Sequence, residues 1–287
     1  MMAIFRREIR SYFHSVTGWL FAAFLLLFAG IYTMAYCLGA GYPNFEYVLA
    51  NISFIFLICV PILTMRVFAE ERHRKTDQLL YSLPISLSEV VLGKYLAMLF
   101  VLAVPVVILC AYPLILSSFG EVSFKMAYAT LLFFFLLGAC LLSVGMFISS
   151  VTQSQVASAV ISLVAMLILY FLSSLATYVS TQAEASLLAL ALLALVVCAI
   201  VWLLTRSKTV SIALLIVLVG GMSCYYGFDS SAFAGLFPKM MEQLSVFDRF
   251  YTVVDGVMDL SAVVYYLSII GVFVFLTVQS LEKRRWS

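Results

Sequence analysis

The chain has 287 residues, 65% of them hydrophobic and 10% charged, where soluble domains are roughly half apolar and a quarter charged. That balance excludes a soluble globular protein. At about 20 residues per crossing, the length allows about eight or nine membrane spans and leaves no room for a folded soluble domain. A net charge of +2, with its bases scattered at span boundaries, excludes a nucleic-acid binder.

Residues Met1 to Thr17 place Phe5, Ile9, Tyr12, Phe13 and Val16 on one side of Arg6, Arg7 and Arg10, the pattern of an amphipathic helix on the membrane surface. The following apolar run is too long for a signal peptide and has no small-residue cleavage site, so it reads as a first span. The expected spans are Trp19 to Leu38, Ile52 to Phe68, Tyr95 to Leu116, Met126 to Ile148, Val156 to Val179, Ser186 to Leu204, Val210 to Tyr226 and Ala262 to Gln279. Pro61, Pro105 and Pro113 fall inside these runs and are expected to kink them. An all-α polytopic fold of about eight spans follows, with residues 1–18 as an interfacial helix and 19–287 as one transmembrane domain. With the N-terminus in the cytoplasm, thirteen of the sixteen lysines and arginines lie inside; only Lys125, Lys239 and Arg249 fall outside, as the positive-inside rule requires. An even span number also returns the basic C-terminus to the cytoplasm.

The longest polar run, Glu70 to Lys94, carries eight of the chain's thirty charges. Leu79, Leu80 and Leu83 form an apolar stripe beside bases, and Pro84 ends that helix. Ser86 and Glu89 then stand at capping-box spacing just before Val90, so a membrane helix grows directly out of the loop. On composition this is either a solvated loop or an elbow that receives force from a soluble partner.

Small residues recur in the fourth and fifth spans. Ala139 with Ser143, and Gly145 with Ser149, mark close helix approach in the fourth. Ser154, Ser158 and Ser162 repeat every four residues from just before the fifth span into its first half, suited to packing within the chain or to a seam between subunits. Further on, Phe228 to Leu260 is too polar to span, yet Met240, Leu244, Phe247, Tyr251, Val254 and Met258 recur in steps of four and three. Interfacial helices on the outer side, or a packed extracellular loop, would both produce this pattern.

No Walker A motif is present. The one Gly-Lys pair, Gly93-Lys94, lacks the earlier glycine and is followed by Tyr95, so no phosphate cradle forms. The chain carries no cofactor motif, and the six cysteines, Cys37, Cys59, Cys110, Cys140, Cys198 and Cys224, sit in or at the ends of apolar runs without metal-ligand spacing,. Intramembrane proteolysis is also disfavoured: Lys75 stands where a glutamate-dependent site needs arginine, and Gly221-Met-Ser223 lacks the second glycine of a serine site. An ion-coupled secondary transporter or channel is the stronger rival. Such proteins bury a coupling carboxylate near the midplane, whereas Glu46, Glu121 and Glu184 fall in expected outer loops and Arg66 at a span end.

The run Glu70-Glu71, the basic cluster, Thr76-Asp-Gln-Leu-Leu, Leu83-Pro84-Ile-Ser and Val91-Leu-Gly-Lys94 resembles the cytoplasmic loop of ABC-2 type permeases, particularly the gliding-motility-type subfamily. Leu244-Ser-Val-Phe-Asp248, Asp255-Gly-Val-Met-Asp259-Leu, Val264-Tyr-Tyr and Leu281-Glu-Lys-Arg-Arg-Trp286 are similar to that subfamily's closing segment. The resemblance implies the membrane subunit of an ATP-driven exporter in a bacterial-type plasma membrane. ATP and Mg would be held by a separate ATP-binding subunit docked on Glu70, Glu71, Arg72, Thr76, Leu79, Leu80, Leu83, Pro84, Ser86, Glu89 and Lys94. It further implies pairing with a second copy or a similar permease, for which Ser154, Ser158 and Ser162 would line the interface or path. An auxiliary membrane-anchored protein with an extracellular domain would rest on Met240, Leu244, Phe247 and Tyr251. Because the family usually has six spans, the Ser186 to Tyr226 pair is expected to be an added hairpin.

Overall fold

The computed structural model describes residues 1–73, 75, 86–205, 213, 215–220 and 233–285. Every regular element among them is helical. The chain divides into two compact units: Met1–Tyr170 with Val246–Ser287, and Phe171–Ser245.

In the first unit, helix α1 (Met2–His14) is amphipathic and ends at Ser15 in extended backbone. Helix α2 (Val16–Tyr32) continues into a π-helical stretch, Thr33–Gly39. Val16 therefore opens the second helix instead of completing the face of the first. The next apolar segment, Phe45–His73, is broken into four pieces: α3 (Phe45–Ile52), a 3-10 turn at Ser53–Ile55, α4 (Phe56–Thr64) with Pro61 inside it, and the short α5 (Ala69–His73). Glu46 lies in the first turn of α3 and is buried, not in an outer loop as its sequence surroundings suggest.

Helix α6 (Leu87–Leu109) contains Pro105, and α7 (Tyr112–Leu116) follows after a break. Pro113 has no N–H to continue the ladder and crowds the carbonyl four residues back, which accounts for the break. Tyr128 donates to the carbonyl of Cys110 there, at 3.2 Å. Helix α8 (Phe124–Val151) is the most buried of the spans and the hub of the unit, packing against α3, α4, α6, α12 (Val246–Val254) and α13 (Leu260–Arg285). Its small residues admit close neighbours. A Cβ on Gly138 would stand 2.8 Å from Leu102 Cδ2 and 3.0 Å from Phe56 Cζ. The Ala139 carbonyl accepts from the buried Tyr95 hydroxyl at 2.9 Å. The small residues of the fourth span are thus used for packing within the chain. The rings of Phe56, Phe134 and Phe250 pack in tilted contact through this core, with centroids 4.6 and 6.0 Å apart.

The second unit contains the end of α9 (Gln155–Tyr178), then α10 (Ala183–Thr205) and α11 (Leu236–Leu244), which pack together. Gly235 precedes α11 at φ 72° and donates to Thr181 O at 2.9 Å.

Among the described residues six helices are long and apolar enough to cross a membrane: Val16–Gly39, Phe45–His73, Leu87–Leu116, Phe124–Val151, Gln155–Tyr178 and Leu260–Arg284. They correspond to six of the eight expected spans. The expected sixth falls on α10, which is not one of the six. Of the expected seventh, Val210 to Tyr226, only 213 and 215–220 lie within the described residues.

Candidate functional site

Glu71 and Lys94 of the polar run come together where α1, α5 and α6 meet. Lys94, the lysine of the Gly93-Lys94 pair, sits two turns into α6 with 2% of its side chain exposed. Its Nζ lies 2.8 Å from Glu71 Oε1 and 3.5 Å from Glu8 Oε1, donates to Val67 O at 2.7 Å, and stands 5.0 Å from the centroid of Phe68. Arg7 closes the square, with Nη2 2.8 Å from Glu8 Oε1 and 3.2 Å from Glu71 Oε1. Two cations and two carboxylates therefore alternate among three helices. A buried lysine needs this many partners, because an unpaired ammonium taken out of water is costly. Hydrogen bonding to Glu8, supported by the Glu71 charge, holds the Arg7 guanidinium above its usual range against its partial burial.

The helix that completes the square is placed by packing. Gly93 has no side chain where α1 crosses: a Cβ there would stand 3.2 Å from Ile4 Cγ2 and 3.3 Å from Met1 O. Phe5 and Phe13 each meet Phe100 of α6 edge-on at 6.3 Å. Tyr12 is buried and donates to Leu63 O at 3.4 Å; burial pushes its phenol well above its usual range. The amphipathic helix expected on the membrane surface is thus docked on α6, leaving Arg6 and Arg10 exposed.

A second pair lies alongside. Arg66 Nε is 2.7 Å from Glu70 Oε2, and its Nη1 donates to Thr17 Oγ1 at 2.7 Å. Between the two networks opens a cleft of about 290 Å³ walled also by Ser11, Tyr12, Ser15 and Val67.

Helix α5 is fixed from below by α8. Ser149 Oγ accepts from the amides of Phe68 and Ala69 at 3.2 and 3.3 Å, satisfying donors that the start of α5 leaves without intrahelical partners. Arg72 donates to Thr152 O at 2.8 Å. The start of the polar run is therefore held to α1 and α6 through Glu71 and to the connection after α8 through Arg72, while the residues just before it are bonded to α8.

These positions revise the sequence-based docking surface. Lys94 is enclosed and serves as an internal anchor, not as an outward contact. Glu70 and Glu71 are half-buried and engaged in ion pairs. Ser86 and Glu89 are exposed at the start of α6, where Glu89 N donates to Ser86 Oγ at 3.4 Å, the hydroxyl half of the expected capping box. Thr76, Leu79, Leu80, Leu83 and Pro84 lie outside the described residues. Composition concealed Lys94, since a lysine beside an apolar run ordinarily marks a boundary; the adjacent glycine was the one local sign of a close-packed surface.

Ser154, just before α9, is exposed, while Ser158 and Ser162 within it are enclosed by the chain itself. The apolar series of the last loop divides at Ser245 between α11 and α12. Phe247 is 1% exposed and meets Tyr170 at 5.0 Å, and Tyr251 shares a hydrogen bond with Ser53 at 3.1 Å. Of the four residues expected to form a partner face, Leu244 is exposed, whereas Phe247 turns inward because it completes the aromatic core of α12. Among the described residues no group of histidine, cysteine and carboxylate side chains converges to hold a metal ion.

Six membrane-length helices among the described residues make this a multi-pass membrane protein. Residues 2–189 match the family described as ABC-2 family transporter protein, and the chain belongs to that family. Members are the membrane-spanning components of ABC transporters, and ATP hydrolysis generally resides in a separate subunit. Comparison with curated proteins finds no match.

Proposed function

We propose that this chain is the permease subunit of an ATP-driven exporter of the gliding-motility type, in a bacterial-type plasma membrane. Its N-terminus and the Lys94 cluster face the cytoplasm. Two such chains, or this one and a similar permease, would pair with two ATP-binding subunits seated on the polar run between Glu70 and Glu89, with the enclosed Lys94 behind it. The observation that carries the reading is the Lys94–Glu71–Arg7–Glu8 network, because it ties α1, α5 and α6 into one body. A push delivered to the polar run is then received by the bundle as a rigid displacement instead of being absorbed in a loop. The Leu79, Leu80 and Leu83 stripe would supply the grip, with Thr76 and Pro84 shaping it. The interface between permeases would run beside Ser154, and an auxiliary extracellular partner would meet Leu244.

Two measurements test this. Aspartate in place of Leu79 and Leu80 is expected to abolish co-purification of the ATP-binding subunit while membrane insertion persists; undiminished co-purification refutes the docking surface. For the orientation, a cysteine at Ser207 is expected to react with an impermeant maleimide only from the cytoplasmic side. Labelling from outside refutes both the added hairpin and the topology built on it.

A further inference from the structure

The joint between α8 and α9 is three residues long, from Thr152 to Ser154. Two guanidinium groups from distant parts of the chain hold it. Arg284, near the end of α13, donates to Val151 O at 2.7 Å. Arg72, at the end of the polar run's described helix, donates to Thr152 O at 2.8 Å. The two bonds are not equivalent. Val151 is the last residue of α8, and its carbonyl belongs to the negative end of the helix dipole, where a cation is ordinarily stabilising. Thr152 has extended backbone, ψ 156°, so the chain has already left the helix where Arg72 grips it.

Arg72 is also on a rigid mount. The amides that begin α5 are bonded to Ser149, and Glu71 beside it is bonded to Lys94 and Arg7. Charge-assisted hydrogen bonds are short and directional, and a three-residue joint has little slack to absorb a shift. We propose that Arg72 is a positioning residue that carries movement of α5 into the start of α9, with Arg284 as the anchor that keeps α8 in place. The proposal rests on the ATP-driven reading above and adds a route: force enters the fifth span through a backbone carbonyl, in parallel with its entry into α6.

The test is hydrogen exchange on the permease with its ATP-binding subunit in nanodiscs, with and without ATP plus orthovanadate. The unaltered complex is expected to change its exchange both at 65–75 and at 152–160. Arg72→Gln is expected to keep the first change and lose the second, Arg72→Lys to restore part of the second, and Arg284→Gln to retain both. A fifth-span response that survives in Arg72→Gln, or one lost equally in Arg72→Lys and Arg284→Gln, overturns the relay in favour of a mere helix cap. An elbow silent to nucleotide in the unaltered complex overturns the ATP-driven reading, and the relay with it.

Discussion

Gly145 of α8 faces Thr64 of α4 so closely that a Cβ on the glycine would stand 2.5 Å from the threonine Oγ1, 2.9 Å from its Cγ2 and 3.0 Å from its Cβ. The threonine cannot turn away freely, since Oγ1 donates to Val60 O at 2.9 Å and the residue is fully buried. This contact sets the distance between the second and fourth spans just below the ion-paired cluster.

Gly145→Ala is therefore expected to destabilise the bundle by about 1–3 kcal/mol, the usual range for overpacking a well-filled core. Thr64→Ala in the same chain should relieve part of the loss. Gly271→Ala, where nothing lies within 4 Å of the added carbon, should have no steric cost. Thermal unfolding of the detergent-solubilised protein distinguishes the three; equal midpoints for Gly145→Ala and Gly271→Ala would contradict the packing.

Lys94 and Glu71 supply the second prediction. Removing one partner of a buried ion pair costs about 3–5 kcal/mol. Here Arg7 remains beside both carboxylates, and Glu71 and Glu8 keep 21% and 14% of their side chains exposed, so the effect of Lys94→Met should fall toward the lower end. Glu71→Gln alone should cost less. In the double variant the losses should not add, leaving an interaction energy of about 0.5–3 kcal/mol in an unfolding cycle. Strict additivity would mean that the pair is not coupled.

Much of this architecture is legible in the residues alone, and the boundary is physical. Apolar runs such as Met126 to Ile148 announce spans because lipid demands them, and Ser86 with Glu89 announces a helix start because the cap is local. Pro113 likewise marks a break that the structure contains. Lys94, Arg72 and Arg284 are different, since their partners are distant in the chain: the same three residues read equally well as topology signals, and only packing turns them into an internal anchor and two carbonyl grips. Glu46 misleads for the related reason that the loop around it is shorter than its polarity suggests. The series from Met240 to Met258 keeps helical spacing across Ser245, so periodicity could not reveal that the chain turns there and sends Phe247 inward.

Ser149 offers a third test. Its hydroxyl is the acceptor for two buried amides at the entry to α5, and Ser149→Ala would leave both without that acceptor. Losing a buried partner costs about 1–3 kcal/mol for each polar group stranded, and the loss should be local. Exchange of the Phe68 and Ala69 amides should accelerate far more than that of the α8 core around Leu141. Uniform acceleration across both would indicate global loosening and would remove Ser149 as a specific cap.

The last prediction separates the two halves of the apolar series before the final span. Leu244 is 50% exposed and Phe247 1%, although both occupy the same stripe in the sequence. A cysteine at Leu244 should react readily with an impermeant maleimide added outside intact cells, and a cysteine at Phe247 should stay unmodified until the protein is denatured. Phe247→Ala should also destabilise by about 3–5 kcal/mol, the range for removing a buried phenylalanine, because Tyr170 loses its edge-on neighbour. Leu244→Ala should leave stability nearly unchanged. Equal labelling at the two positions would mean that Phe247 belongs to the outer surface after all, and the face available to an extracellular partner would then extend along the whole stripe.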